Sequence, residues 1–588
     1  MFDAKNKQCF GRSLLIEIPR IANSGFDCSG NRIGDRTTNR IFGLPVSDTD
    51  VELAEQGLPC WRECISRPMH ERFSPWCTHI SWLSDGLGVQ IRRDSFGLAP
   101  LFARRFEDRW VFSDSLKRLV TLRVPAVPQT ASLREYIFYD GWIGTELPFR
   151  DVFQLPQGAI SFWATTNSAP DLEVDCDVSL FTNATRPHQD SSISLEDVVR
   201  VLGDAMDALT IPSGRCGIFL SGGLDSGLLA AICRQRNIDA VLFTCGIDDP
   251  SLDETLFAGL VASSLSLRHE VVRLDRAGFL AGTVDAIHES AIPLMYPNQV
   301  GLALLARRAT EVGVELLLSG EGADEVFCGY PRLLQLRDVL ARSEGHSSSD
   351  YRTCFSDPEL ARDLQLLRSP FDLSVLGFGF PARQMLMTRI RDLLSPIEDE
   401  TERELRIAWL HEFFQTLPCA LLRFHNAVRR TGIKIAFPFV SRRAVEVGLE
   451  SLPRLASLTC TKPQLRKMAR HLLPRELLDR PKCGFEIPLE RWLPSLRQIV
   501  GPGTRAALGL SADVLAKWAV QRPASADLRW PILNIEVWAR LFVLHQSREE
   551  IAEWLCGMPG DDGLAAEPPV AASQWLAAKK SVSPRPRP

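Results

Sequence analysis

Residues 215–236 read RCGIFLSGGLDSGLLAAICRQR, and this stretch decides the fold. An apolar run of strand length, Arg215 to Leu220, passes through Ser221-Gly222-Gly223-Leu224-Asp225-Ser226 into a segment with helical apolar spacing at Leu228, Leu229 and Ile232. A strand that ends in a glycine-rich turn and restarts as a helix brings backbone N–H groups and a positive helix end to one place, which suits an anion. Gly222 and Gly223 can adopt positive φ and let the backbone approach closely. The hydroxyls of Ser221 and Ser226 can donate to phosphate oxygens. Asp225 would repel a bare phosphate, but it fits where Mg²⁺ sits between the two. No G-x-x-x-x-G-K-[ST] run occurs, so this is not a Walker loop.

Working outward, helix and strand alternate. Helical spacing covers 196–209, AVLFTCGI (240–247) reads as a strand, 253–266 as a helix and RHEVVRL (268–274) as a strand. Helices follow at 277–290 and 299–312, then VELLLS (314–319) as a strand. That order predicts a doubly wound parallel sheet covered on both faces. The last strand leads into Ser319-Gly320-Glu321-Gly322-Ala323-Asp324-Glu325, a second strand-end loop able to face the first, with Asp324 as a second carboxylate for Mg²⁺. Residues 331–480 read as mostly helical.

Toward the N-terminus the pattern becomes β-rich. SLLIEI, THISWL, LGVQIRRD, PLFARRF, RWVFSD and AISFW are short apolar runs separated by turn signals, which suggests stacked sheets. Residues 182–194 read as a linker, and 558–588, rich in Pro, Ala and Ser, as a disordered tail. The chain of 588 residues is too long for one core. Its net charge of −5 argues against nucleic acid as partner. With no stretch of membrane-spanning length and no signal-like N-terminus, the reading is a soluble, cytoplasmic protein. Fifteen scattered cysteines are expected as free thiols. Cys60, Cys64, His70, Cys77 and His79 are irregularly spaced, with Trp61 and Trp76 among them, and read as core residues rather than a zinc site. No His-Glu-x-x-His helix and no G-x-S-x-G elbow occurs.

Taken together, these runs resemble the asparagine synthetase B family. SGGLDS matches the family's pyrophosphate loop and SGEGADEVFCGY its second ATP motif. Asp253-Glu254, Pro438-Phe439, Lys462 in KPQLRK, and Arg480-Pro481-Lys482-Cys483-Gly484-Phe485 match further family positions. RRDSFGLAPLFARR, FSDSLKRL and LREYIFYDGWIGTELPFRDVFQLPQGAISFW resemble its glutaminase domain. The resemblance implies a degenerate glutaminase-like β-sandwich over 1–181, an ATP-pyrophosphatase (adenylating) domain over 195–557 with a helical C-terminal part, and the tail. It implies ATP held by Leu220, Ser221, Gly222, Gly223, Asp225, Ser226, Thr244, Ser319, Gly320 and Glu321, with Mg²⁺ on Asp225 and Asp324. Lys482 would stabilise charge in the transition state, an effect worth several kcal/mol in principle. Lys462 and Glu289 are further candidates near the chemistry, and Tyr330 fits either substrate or packing.

Two departures narrow the expected product. Working glutaminases of the family expose an N-terminal Cys after Met removal, whereas here position 2 is Phe2 and the nearest cysteine is Cys9. The expectation is a scaffold without glutamine hydrolysis. The family's Glu and Arg before Pro-Phe are also replaced, in the run Gly432-Ile433-Lys434-Ile435-Ala436-Phe437-Pro438. β-Lactam formers resemble one another in using that Glu to deprotonate a poor amine. A peptide α-amine needs less help, because with a pKa of about 8 roughly a quarter is free base near pH 7.5. The expectation is therefore a lasso peptide macrolactam synthetase. Its precursor peptide would come with a leader peptidase and a peptide-recognition protein. The alternatives are a β-lactam synthetase, an ammonia-dependent asparagine synthetase, or a non-catalytic ATP-binding scaffold.

Overall fold

The computed structural model describes residues 195–210, 214–342, 381–478, 484–509 and 528–560, most of 88–164, Phe181, and strands at 15–19, 41–42, 61–64, 78–82 and 171–174. The zinc-like cluster apart from Cys64 and His79, the linker at 182–194, Lys482, Phe2, Cys9 and the tail beyond 560 lie outside the described residues.

The N-terminal strands are β1 (Leu15–Pro19), β2 (Ile41–Phe42), β3 (Trp61–Cys64), β4 (Thr78–Trp82), β5 (Gly88–Arg92), β6 (Phe102–Arg105), β7 (Arg109–Ser113), β8 (Val152–Gln154), β9 (Ile160–Ala164) and β10 (Asp171–Val174). They form two five-stranded sheets, ordered β2-β1-β7-β6-β8 and β10-β9-β5-β4-β3. The period of two along β7 explains how the sheets stack. Trp110 and Phe112 point at the second sheet, where their rings lie 4.7 and 5.0 Å from Trp163 in edge-on contacts. Val111, between them, joins the main core on the opposite face. The β7 sheet is thus a middle layer, buried on both sides.

The third sheet contains β11 (Cys216–Phe219), β12 (Ala240–Ile247), β13 (Arg268–Leu274), β14 (Leu316–Leu318) and β15 (Lys434–Ala436), in the order β13-β12-β11-β14-β15. Every neighbouring pair is parallel. The chain works outward from β11 to β13, then returns to lay β14 on the other side of β11. The order therefore reverses between β11 and β14, and a crevice forms outside the carboxyl ends at such a point. All eight residues of β12 are buried, as expected for a strand covered on both faces.

In chain order the longer helices and those that carry the site are α1 (Leu116–Thr121), α2 (Leu195–Thr210), α3 (Leu224–Arg236), α4 (Thr255–Leu265), α5 (Arg276–Ser290), α6 (Gln299–Glu311), α7 (Ala323–Val326), α8 (Pro331–Arg342), α9 (Pro381–Leu394), α10 (Glu400–His411), α11 (Leu417–Val428), α12 (Arg442–Glu450) and α13 (Pro463–Ala469). A π-helical turn, Glu412–Thr416, joins α10 to α11. The expected strands at 240–247 and 268–274 match residue for residue, and α3 to α6 begin and end within two residues of their expected bounds. Within 331–480, expected as mostly helical, the described residues also contain the short strand β15. This strand has no local signal: it exists through the register Leu316↔Lys434, Leu317↔Ile435 and Leu318↔Ala436.

The N-terminal sheets are tied to the parallel-sheet body by polar contacts. The Tyr136 hydroxyl donates to Leu294 O at 2.6 Å, and His425 Nε2 donates to Leu98 O at 2.6 Å. Burial, with Arg429 nearby, lowers the His425 pKa to about 3, so the ring is neutral. Cys216, Cys233, Cys245, Cys328, Cys419, Cys460 and Cys556 are free thiols. Among the described residues no helix is long and apolar enough to cross a membrane.

Candidate functional site

The two glycine-rich loops meet at the reversal of strand order. The first follows β11. Ser221 N–H donates to Ser226 Oγ at 3.2 Å and Gly223 N–H to Ser221 Oγ at 3.3 Å, so the turn is braced by its own hydroxyls. Gly222 has φ +68°, and a Cβ there would come within 2.8 Å of Ala258 N in α4. The second loop follows β14. A Cβ on Gly320 would lie 3.0 Å from Asp225 Cβ and 3.1 Å from Ser226 N, so the loops pack backbone to backbone only because Gly320 has no side chain.

This approach brings two carboxylates together. Asp225 lies in the first turn of α3 and Asp324 in the first turn of α7, where helix N-termini favour negative charge. Both reach one cation: Lys462 Nζ is 2.5 Å from Asp225 Oδ2 and 2.9 Å from Asp324 Oδ1. Lys462 caps α13 with left-handed backbone, φ 49°, and is 4% exposed. Burial alone would lower its ammonium pKa, but the two carboxylates outweigh burial and hold it above the ordinary lysine value. Gly329 makes the contact possible, since a Cβ there would stand 2.0 Å from Asp324 Oδ1 and 2.1 Å from Lys462 Cε.

A cavity of about 600 Å³ opens beside this cluster. Leu220, Ser221, Gly223, Asp225 and Ser226 line it from the first loop, Ser319, Gly320, Glu321 and Asp324 from the second, with Thr244 from β12 and Lys462 from α13. The Thr244 hydroxyl donates to Leu220 O at 2.8 Å and accepts from His269 Nε2 at 2.8 Å, which fixes the wall beside the first loop. Of the sequence candidates, Gly222 is turned into α4 instead. Glu289, at the end of α5, is absent from the lining. It pairs with Lys117 of α1 at 2.9 Å, across the junction with the N-terminal sheets.

Glu254 and Phe485, both in runs that match family positions, also contribute to the wall, together with Tyr296, Asn298, Arg423 and Arg466, which the sequence did not single out. Arg423, on α11, donates from Nη2 to Glu321 Oε2 at 2.8 Å and from Nη1 to Asn298 Oδ1 at 3.1 Å. Its guanidinium lies 4.6 Å from the Tyr296 ring centre and 4.8 Å from that of Phe424. In the sequence, Arg423 interrupts the apolar run Ala420 to Phe424, the one signal that could have marked it. Behind Asp324, Glu325 is fully buried and accepts from the Tyr330 hydroxyl at 2.6 Å. Burial first, then Glu321 and Asp324, push its pKa up to about 8.

The donor set fits Mg²⁺ of a limited kind. Two carboxylates converge on one point, where a single positive charge already holds both. Among the described residues no group of three or more His, Cys, Asp or Glu could hold a metal. The protein thus offers two hard oxygen ligands, which suits a Mg²⁺ that keeps its other ligands from phosphates and water.

The profile of the Asparagine synthase family matches residues 197–540. A putative glutamine-hydrolyzing asparagine synthetase of Mycobacterium tuberculosis is 25% identical over 502 residues, covering 78% of this chain and 76% of its own. Glutamine-hydrolyzing asparagine synthetase 1 of Bacillus subtilis is 21% identical over 479 residues, covering 76% and 72%. Among solved structures, NMN synthetase from Francisella tularensis aligns over 60% of this chain and 94% of that one, at 11% identity and a TM-score of 0.24.

Proposed function

The chain belongs to the asparagine synthase family, whose members are ATP-dependent amide-forming ligases, and from that premise we propose that it is a lasso peptide cyclase. It adenylates an Asp or Glu side chain of a precursor peptide and joins it to the peptide's N-terminal amine. The observation that carries the adenylation step is the convergence of Asp225 and Asp324, from two strand-end loops, at the switch point of the parallel sheet.

In the first half-reaction a carboxylate oxygen bonds to the α-phosphorus of ATP while the bond to pyrophosphate breaks. The N–H groups and hydroxyls of Ser221 to Ser226 hold the leaving pyrophosphate. Asp225 and Asp324 would hold Mg²⁺, which when bound would supply positive charge for the phosphates. Lys462 keeps the two carboxylates in register. In the second half-reaction the amine nitrogen bonds to the acyl carbon, AMP leaves, and the amine gives up a proton. Lys482 is assigned the charge that develops at the reacting centre, on its match to the family motif alone. Glu289 is assigned a joining role, through Lys117.

The choice of ring closure rests on β15. The Glu and Arg that the family resemblance implies before Pro438-Phe439 are both missing from the run 432–438, and β15 within it offers no carboxylate base. A peptide α-amine, held against the acyl-adenylate, depends least on such a base. The test is to incubate the protein with ATP, Mg²⁺ and a precursor peptide whose N-terminal amine has been freed by its peptidase. AMP, pyrophosphate and a peptide lighter by one water are expected, and Asp225→Ala should abolish all three. ADP and phosphate as products would overturn the adenylation step. A second reading, ammonia-dependent asparagine synthesis, is supported in its product alone by the similarity to asparagine synthetases, which are themselves glutamine-hydrolyzing. Asparagine formed from free aspartate and ammonium would replace the macrolactam reading with it.

A further inference from the structure

We infer that the Nε–Nη2 edge of Arg423 is a carboxylate seat in the cavity wall, that Glu321 occupies only half of it, and that the acyl donor docks there by displacing Glu321. The ligand's identity as an acyl donor rests on the amide-ligase reading; the seat itself rests on geometry.

A guanidinium presents Nε and one terminal nitrogen as a fork that matches the two oxygens of a carboxylate. Here the fork is half used. Nη2 donates to Glu321 Oε2 at 2.8 Å, whereas Nε is buried without a hydrogen-bond partner. Leaving a buried donor unmatched is unfavourable, so the fork is a standing preference for a better-aligned anion. Its direction is fixed. The rings of Tyr296 and Phe424 lie against the guanidinium, and Asn298 accepts from the remaining nitrogen, Nη1. Asn298 is itself held, donating to Phe485 O at 2.9 Å. Glu321 is the more exposed member of the pair, with a side chain 23% exposed to solvent against 11% for Arg423. A carboxylate that takes both prongs makes two parallel charge-assisted bonds in place of one. The flanking rings and the nearby Glu321 select a single negative charge rather than a phosphate.

The test titrates succinate into the wild-type protein, Glu321→Gln, Arg423→Gln and the double variant. Each titration is run with and without Mg²⁺ and a non-hydrolysable α,β-methylene ATP analogue, with neutral succinamide as control. Glu321→Gln should bind succinate about tenfold more tightly, a difference of about 1.4 kcal/mol. Arg423→Gln should bind it about tenfold more weakly, and the gain from Glu321→Gln should vanish in the double variant. Succinamide should not distinguish the four proteins. If Glu321→Gln changes nothing, or its gain survives without Arg423, the pair is a fixed structural contact and the seat does not exist. Should Arg423→Gln fail to fold, Glu321→Gln against wild type still decides. The nucleotide analogue is titrated separately. Its failure to bind would count against the adenylation reading and leave the succinate result standing.

Discussion

Replacing Lys462 with Met keeps the bulk of the side chain and removes only its charge. In the native cluster one ammonium faces two carboxylates, at 2.5 Å from Asp225 and 2.9 Å from Asp324. Taking one partner from a fully buried pair costs about 3–5 kcal/mol, because the charge left behind is uncompensated. Asp225 and Asp324 keep 21% and 22% of their side-chain surface in solvent, so water screens part of that cost. We place the loss for Lys462→Met at about 2–3 kcal/mol. At about 2–4 °C per kcal/mol for a cooperative unit of this class, the unfolding midpoint should fall by roughly 5–10 °C.

The assay is thermal and urea unfolding of wild type, Lys462→Met, Asp324→Asn and the double variant. The double variant should be more stable than the sum of the single losses implies, with a coupling of about 1–3 kcal/mol. Mg²⁺ with the nucleotide analogue should raise the Lys462→Met midpoint by more than it raises that of wild type, since binding to the native state alone stabilises it. A Lys462→Met stability within about 1 kcal/mol of wild type would overturn this account of the cluster, as would additivity within about 0.5 kcal/mol in the cycle. Either result would mean that the carboxylates are solvated enough to need no counter-ion.

Two further outcomes follow from the same geometry. Gly329→Ala places a methyl 2.0 Å from Asp324 Oδ1 and 2.1 Å from Lys462 Cε, so one of the two must withdraw. Stability should fall by about 1–3 kcal/mol, as for other overpacked sites, with weakened nucleotide binding by calorimetry; unchanged binding would mean that the Lys462–Asp324 contact is dispensable. The folded-state pKa of His425, about 3, lies below its unfolded value of about 6.5. Its contribution is therefore fully present above pH 6.5 and is lost as pH falls toward 3, by about 1.4 kcal/mol per pH unit. His425→Gln, which keeps a donor for Leu98 O, should flatten that acid limb in unfolding measured from pH 4 to 7. An unchanged slope would assign the acid sensitivity to other groups.

What could be read in the sequence was what depends on neighbours along the chain. The first loop sits between an apolar strand and a helix with the right spacing, so local pattern alone placed Asp225 in the turn at the strand's carboxyl end. The second loop repeats that logic after β14. What could not be read depends on residues far apart. The strand β15 has only three residues and is held by Leu316 to Leu318, more than a hundred positions earlier. Arg423 looks like an ordinary charged position on an amphipathic helix; only the approach of Glu321, Asn298 and Tyr296 makes it part of the wall. Glu289 was a candidate near the chemistry through the family resemblance, but in the structure it lies at the end of α5 and pairs with Lys117 of α1. The sequence offered Lys462 only as a candidate near the chemistry. Its burial follows from Gly329, which lies against it, and from the Cys328 carbonyl that accepts its backbone N–H.

The position of Lys462 is costly in three separate ways, and the costs identify what it does. Its left-handed backbone is strained by about 1–2 kcal/mol for a residue with a Cβ. It stands at the N-terminus of α13, where the helix dipole disfavours a cation. Burial disfavours its ammonium further. A lysine that served solubility or helix capping would incur none of these, and any surface position would suit it better. The counterweight is the pair Asp225 and Asp324, which raise its affinity for the proton in spite of burial. The reverse also holds: two carboxylates that converge on one point repel each other, and without a cation between them the two loops would tend to part. Gly320 and Gly329 show that the loops are built to close rather than to part, since each has given up its side chain at a point of contact. The chain thus carries a permanent positive charge at the point where Mg²⁺ is proposed to add another, and the crevice at the β11–β14 switch point keeps its shape before any ligand enters.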